Sequence, residues 1–211
     1  MTAPEHGPYT GTEESLDMPD PIKDRLLALI RERAFRQGDF TLASGEKSDY
    51  YIDGRMIGVH PEGAALIGQA IYERIKDLGI DAIGGLAVGA VPLVASTMVI
   101  CHQQGLAVEG FWVRDAVKDH GTKKLIEGNL APGSRVVILD DVMTSGGSAQ
   151  KAIDAVLGQG GTVIRVIALV DRGRGAKELF EKQGLVYEPL FTINDLLAPI
   201  SKSGVSSSRT G

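Results

Sequence analysis

The sequence predicts an α/β protein built on an open, mostly parallel sheet flanked by helices. The first observation is the run Val136-Val137-Ile138-Leu139, which leads into Asp140-Asp141 and the turn Thr144-Ser145-Gly146-Gly147-Ser148. A short, mostly β-branched apolar run bounded by turn formers reads as a strand buried on both faces. The second is the alternation of further apolar runs (Ile80 to Gly85, Leu106 to Val113, Thr162 to Val170) with helical patterns. That βαβα rhythm signals parallel strands joined by crossover helices. The third is Ile83 to His102, 20 residues without Lys, Arg, Asp or Glu. Its length would span a bilayer, but Gly84, Gly85, Gly89 and Pro92 interrupt its start. A buried strand, a glycine turn and a helix with proline in its first turn fit better.

In chain order, residues 1–19 read as a flexible tail. Asp20-Pro21 caps and opens a helix whose apolar positions Ile22, Leu26, Leu29, Ile30 and Ala34 lead to a stop at Gln37-Gly38. Phe40 to Asp53 holds two short β-rich runs around Ser-Gly-Glu-Lys, a hairpin signal. Pro61 to Leu78 is an amphipathic helix, and Leu86 to Val91 lies at a strand-to-helix switch. Beyond the signature strand, a helix is expected from about Gly175 to Gln183. A strand near Leu185 to Leu190 and a short helical piece at Asn194 to Leu197 close the pattern. A single domain over residues 20–200 follows, with a second flexible tail at 201–211.

A chain of 211 residues suits one domain with a full core, and 43% apolar with 23% charged residues is ordinary globular composition. The net charge of −5 argues against a nucleic-acid surface. One cysteine, Cys101, excludes an intrachain disulfide and fits a reducing compartment. The first 19 residues lack the apolar core of a secretory signal, so a cytoplasmic location and no membrane association are expected.

The chemistry gathers after the signature strand. In open α/β sheets ligands bind beyond the carboxyl ends of the strands, where Asp140 and Asp141 are expected to point. The N–H groups of a glycine turn and a new helix attract phosphate, which two carboxylates beside it would repel. A ribose 5-phosphate bearing a Mg-bound pyrophosphate satisfies both, since it offers hydroxyls and a cation next to its phosphate. The plain alternative is that both acids cap a turn. Neither a G-x-x-x-x-G-K-[ST] loop nor a G-x-G-x-x-G fingerprint is present. The segment 114–128 is too polar for a core helix and long for a connection, so it reads as a lid or a solvated crossover. It concentrates Arg114, Lys118, His120, Lys123 and Lys124, groups suited to a departing pyrophosphate.

Taken together, the hairpin Phe-Thr-Leu-x-Ser-Gly-x-Lys-Ser-x-Tyr-Tyr-Ile-Asp, the loop Arg-x-x-x-Lys-x-His-Gly and Asp-Asp-Val-Met-Thr-Ser-Gly-Gly-Ser resemble the orotate phosphoribosyltransferases over roughly residues 20–195. The resemblance implies the type I phosphoribosyltransferase fold, with a small hood built from the N-terminal hairpin and C-terminal elements. It implies Mg²⁺-dependent transfer of a phosphoribosyl group from phosphoribosyl pyrophosphate (PRPP) to orotate, giving orotidine 5′-monophosphate and pyrophosphate in pyrimidine biosynthesis. Asp140 and Asp141 would hold the ribose hydroxyls, and Val142, Met143, Thr144, Ser145, Gly146, Gly147 and Ser148 the 5-phosphate. Arg114, Lys118 and His120 would contact pyrophosphate from a lid, residues 114–128, shared across a homodimer. Thr144 and Arg172 would contact orotate, with Lys118, His120 and Asp141 as catalytic residues. No metal ligand is assigned on the protein itself.

Three positions depart from the family pattern. Asp115 stands where many relatives carry lysine, Ala43 replaces a lysine of some members, and Val88-Gly89 replaces a Tyr-Lys pair. Two other readings share the signature: transfer to a different base, and a non-catalytic PRPP-binding regulator. A carboxylate partner for Arg172 favours orotate over the first. The absence of an added nucleic-acid-binding segment in residues 1–40 disfavours the second.

Overall fold

The computed structural model describes residues 21–41, 45, 47–115 and 125–199. Its elements, in order, are α1 (Pro21–Arg33), β1 (Phe35–Thr41), β2 (Lys47–Ile52), α2 (Arg55–Gly58), α3 (Pro61–Ile75), β3 (Ala82–Gly84) and α4 (Ala90–Gln103). They continue with β4 (Glu109–Val113), β5 (Ile126–Gly128), β6 (Arg135–Met143), α5 (Gly147–Gly158), β7 (Thr162–Asp171), α6 (Ala176–Lys182), β8 (Val186–Thr192) and α7 (Ile193–Leu197). The main sheet runs β5-β4-β3-β6-β7-β8, all parallel except the edge pair β4–β5. The expected open, mostly parallel α/β sheet is therefore present.

Strand β6 shows why two helical layers are needed. Val136 and Ile138 pack with α5 and α6 residues such as Ala152, Ile153 and Phe180. Val137 and Leu139 pack on the other side with Leu26, Ile67, Ile71 and Leu93 of α1, α3 and α4. Successive strand residues face opposite sides, so an uninterrupted apolar run requires a core on each. At β3 there is no room even for a methyl group. A Cβ on Gly84 would lie 2.3 Å from the ring of the fully buried Phe111. We expect Gly84→Ala to cost about 1–3 kcal/mol by overpacking. An unchanged denaturant midpoint would contradict it.

Several boundaries differ from the sequence reading. Helix α1 ends at Arg33, and Gln37-Gly38 lie inside β1, because β1 pairs with β2 from Phe35↔Ile52 onward. Strand β6 runs on through Met143, so Asp140 and Asp141 are part of it. The end of the polar 114–128 segment is a strand, β5, paired antiparallel with β4. The strand expected from Ile80 is only three residues long, Ala82–Gly84.

The hairpin β1–β2 is a separate two-stranded sheet. Tyr50 and Ile52 of β2 anchor it in the core beneath α1. Helix α7 is tied to α1, where Arg31 donates to the Ala198 carbonyl at 2.7 Å. Among the described residues, no helix is long and apolar enough to cross a membrane.

Candidate active site

The chain goes from β3 outward to β4 and returns to β6 before continuing to β7, so strand order reverses between neighbours β3 and β6. The connections leaving these two strands part to opposite layers, and a crevice opens between them. A Cβ on Gly85, just past β3, would lie 2.1 Å from the Leu139 carbonyl oxygen. That contact shows how closely the β3 exit runs along β6.

Both acids sit beside this crevice. Asp140 is 7% exposed, and its Oδ1 accepts from the Asp141 N–H at 3.0 Å. Burial, and then the charge of Asp141, push the Asp140 carboxyl up to about 7. Burial also raises Asp141, opposed by the Val142 N–H and by the positive charge of Arg55. Two neighbouring carboxylates in such a place need a hydroxyl-rich or cationic partner to be ionised together.

Asp141 is walled by two glycines. A Cβ at Gly89 would lie 2.3 Å from Asp141 Oδ1; one at Gly54 would lie 2.8 Å from its Cβ and 3.0 Å from Oδ2. Both glycines have ordinary helical backbones, φ −57° and ψ −43° at Gly89, φ −62° and ψ −25° at Gly54. Their role here is therefore the room they leave. Gly54 is flanked by Asp53 and Arg55, whose side chains form a two-pronged pair with both contacts at 2.8 Å. That pairing holds the Asp53 carboxyl below its usual range.

The turn after β6 opens on a hollow of about 330 Å³ lined by Asp140, Val142 to Ser148, and Lys151. Gly146, at φ 91°, is the N-cap of α5, and no side chain caps that helix. Left-handed backbone is cheap only for glycine, and the uncapped N–H groups of the first turn are free for an anion.

One strand over, Arg172 follows β7. Its N–H donates to the Met143 carbonyl at 2.9 Å, which holds it beside the turn. Its guanidinium reaches the hairpin, with NH2 3.3 Å from Ser48 Oγ and the charge 4.9 Å above the Tyr50 ring. Its Nε is buried without a hydrogen-bond partner among the described residues. An unsatisfied buried guanidinium N–H suits a planar carboxylate.

Asp140, Asp141 and Val142 to Ser148 are thus contiguous, with Thr144 exposed on the turn and Arg172 just past the adjoining strand. Arg114 lies past β4 and is ion-paired with Glu127 of β5 at 3.2 Å. Lys118, His120, Lys123, Lys124 and Ala43 lie outside the described residues. Sequence reasoning missed Gly54, the Asp53–Arg55 pair and Lys151. Only for Lys151 was a signal present, its spacing of three and four residues from Ser148 and Gly147 on one helix face.

Comparison with known proteins agrees with this geometry. Residues 54–185 match the family model described as a phosphoribosyl transferase domain. The chain is 43% identical over 176 residues to the orotate phosphoribosyltransferase of Rhodopirellula baltica, covering 81% of this chain and 91% of that protein. The enzyme of the same name from Synechocystis is 40% identical, covering 83% and 88%. The crystal structure of Mycobacterium tuberculosis orotate phosphoribosyltransferase in complex with PRPP superposes with a TM-score of 0.72 at 35% identity, covering 84% of this chain and all of that one. Fold, crevice and matched sequence lead to one conclusion: the chain belongs to the orotate phosphoribosyltransferases of the phosphoribosyltransferase family.

Proposed function

We propose that the chain transfers the 5-phosphoribosyl group of PRPP to orotate, releasing pyrophosphate and forming orotidine 5′-monophosphate in the cytoplasm. The observation carrying this reading is the joining of buried Asp140 and an uncapped helix N-terminus at one hollow, with Asp141 next in the strand, beside the strand-order reversal. The helix N-terminus takes the 5-phosphate, and Asp140 and Asp141 accept hydrogen bonds from the ribose hydroxyls. Arg172 Nε and its neighbouring nitrogens engage the orotate carboxylate, with Thr144 alongside. Arg114, Lys118 and His120 face the diphosphate from the 114–128 segment, which is shared with a second copy in a homodimer. Residues 20–200 act as one domain between two tails.

Mg²⁺ fits this site as an ion that arrives with the substrate. Among the described residues no group of three His, Cys, Asp or Glu stands together to cage a metal. Magnesium carried on phosphates needs only one or two carboxylates, often through its waters, and Asp140 and Asp141 are placed to offer them. When bound, it supplies positive charge against the charge growing on the diphosphate. The protein's own part is to fix the ribose, orient the base and keep water out.

Orotate absorbance, followed with PRPP and Mg²⁺, tests the reading. It should fall only when all three are present. Turnover of adenine or uracil instead, with orotate untouched, would overturn the choice of base.

A further inference from the structure

We propose that Lys151 is a phosphate-binding residue of this chain, its ammonium resting on Asp115 until a phosphate at the Thr144 to Ser148 turn takes it over. This rests on the reading that the turn receives the 5-phosphate. Of the residues lining that hollow, only Asp140 and Lys151 bear charge, and Lys151 is the one cation among the described residues there. A sugar phosphate brings between one and two negative charges. The helix N-terminus offsets only about half a charge, and Asp140 adds repulsion. One further positive group at the rim removes that imbalance.

Lys151 is suitably placed by helix geometry alone. It lies in the second turn of α5, three residues after Ser148 and four after Gly147. Helical side chains lean toward the N-terminus of their helix, so a long side chain at 151 covers the turn that precedes it. Its Nζ is ion-paired with Asp115, just beyond β4. Both side chains are mostly exposed, 59% for Lys151 and 65% for Asp115. Such a pair adds little stability and leaves the ammonium free to exchange partners. Asp115 and a phosphate therefore compete for one ammonium. Position 115 thus carries an acid that holds a cation from the neighbouring helix.

Calorimetric titration of the full chain with ribose 5-phosphate, at fixed pH and ionic strength, separates this role from a merely structural pair. Lys151→Gln should weaken binding about tenfold, the loss of one hydrogen bond to a charged group. Lys151→Arg should stay within about threefold, and Asp115→Asn should bind as tightly as the native chain or up to fivefold more tightly, because the competitor is gone. If the pair matters only as a brace, Lys151→Gln and Asp115→Asn will weaken binding alike, and the proposal fails. It fails equally if Lys151→Gln binds like the native chain. A native chain that takes up no ribose 5-phosphate strikes instead at the reading of the turn itself.

Discussion

Replacing Gly89 by alanine is expected to lower kcat/KM for PRPP by about a hundredfold while moving the melting temperature by only a few degrees. The added methyl would sit 2.3 Å from Asp141 Oδ1, so the carboxylate must turn away. On its other side stands Gly54, where a Cβ would lie 2.8 Å from the Asp141 Cβ and 3.0 Å from Oδ2. Any such turn moves it from the position in which it is proposed to hold the sugar hydroxyls. A displacement of about 1 Å in a positioning group costs on the order of a hundredfold in rate. Stability should change little, because Gly89 has a backbone that alanine adopts readily and the displaced group is a short polar side chain. Activity within threefold of native would show that Asp141 is not confined as described. Loss of activity together with a collapse in melting temperature would assign the effect to folding.

Asp140→Asn is expected to make the free protein more stable and the enzyme worse. Burial and the neighbouring Asp141 raise the Asp140 carboxyl from 3.8 to about 7. Between about pH 4 and pH 7 the native state therefore holds a proton that the unfolded chain has released. Native stability from this source falls as pH rises through that window and is fully lost above it. At about 1.4 kcal/mol per pH unit, the removable penalty is roughly 2–4 kcal/mol at pH 8 and near zero at pH 4. Asparagine avoids it and still offers an oxygen to the Asp141 N–H. Denaturant melts of both proteins at pH 4.5 and pH 8 supply the measurement. A variant less stable at pH 8, or equally stabilised at both values, would refute the assignment. Turnover should fall together with the gain in stability, since a strained acid pair is kept for its ligand.

What could be read from the sequence and what could not divide along one physical line. The β6 run, the glycine turn and the buried α4 helix are local patterns, with each residue's preference agreeing with its neighbours. They were legible; that the crevice lies between β3 and β6 was not, because strand order is set by long-range pairing. The failures came where a distant segment decides the outcome. Gln37-Gly38 carries a helix-stop signal, yet pairing with β2 claims those residues for β1. Ile126–Gly128 sits in a polar stretch and becomes a strand only because β4 offers an edge. Nothing near Gly54 announces a neighbour at Asp141. Nor does anything near Gly89 announce that a Cβ there would lie 2.3 Å from Asp141 Oδ1.

The two-glycine enclosure of Asp141 also bears on how the molecule becomes competent. Its three parts come from the β2–α2 junction, the β3–α4 junction and β6, so the enclosure exists only after widely separated stretches of chain have met. Closing such large loops is among the slower events of folding. Partly assembled chains would therefore own the glycine turn without a correctly aimed acid. The enclosure thus depends on the finished architecture more than on any one segment.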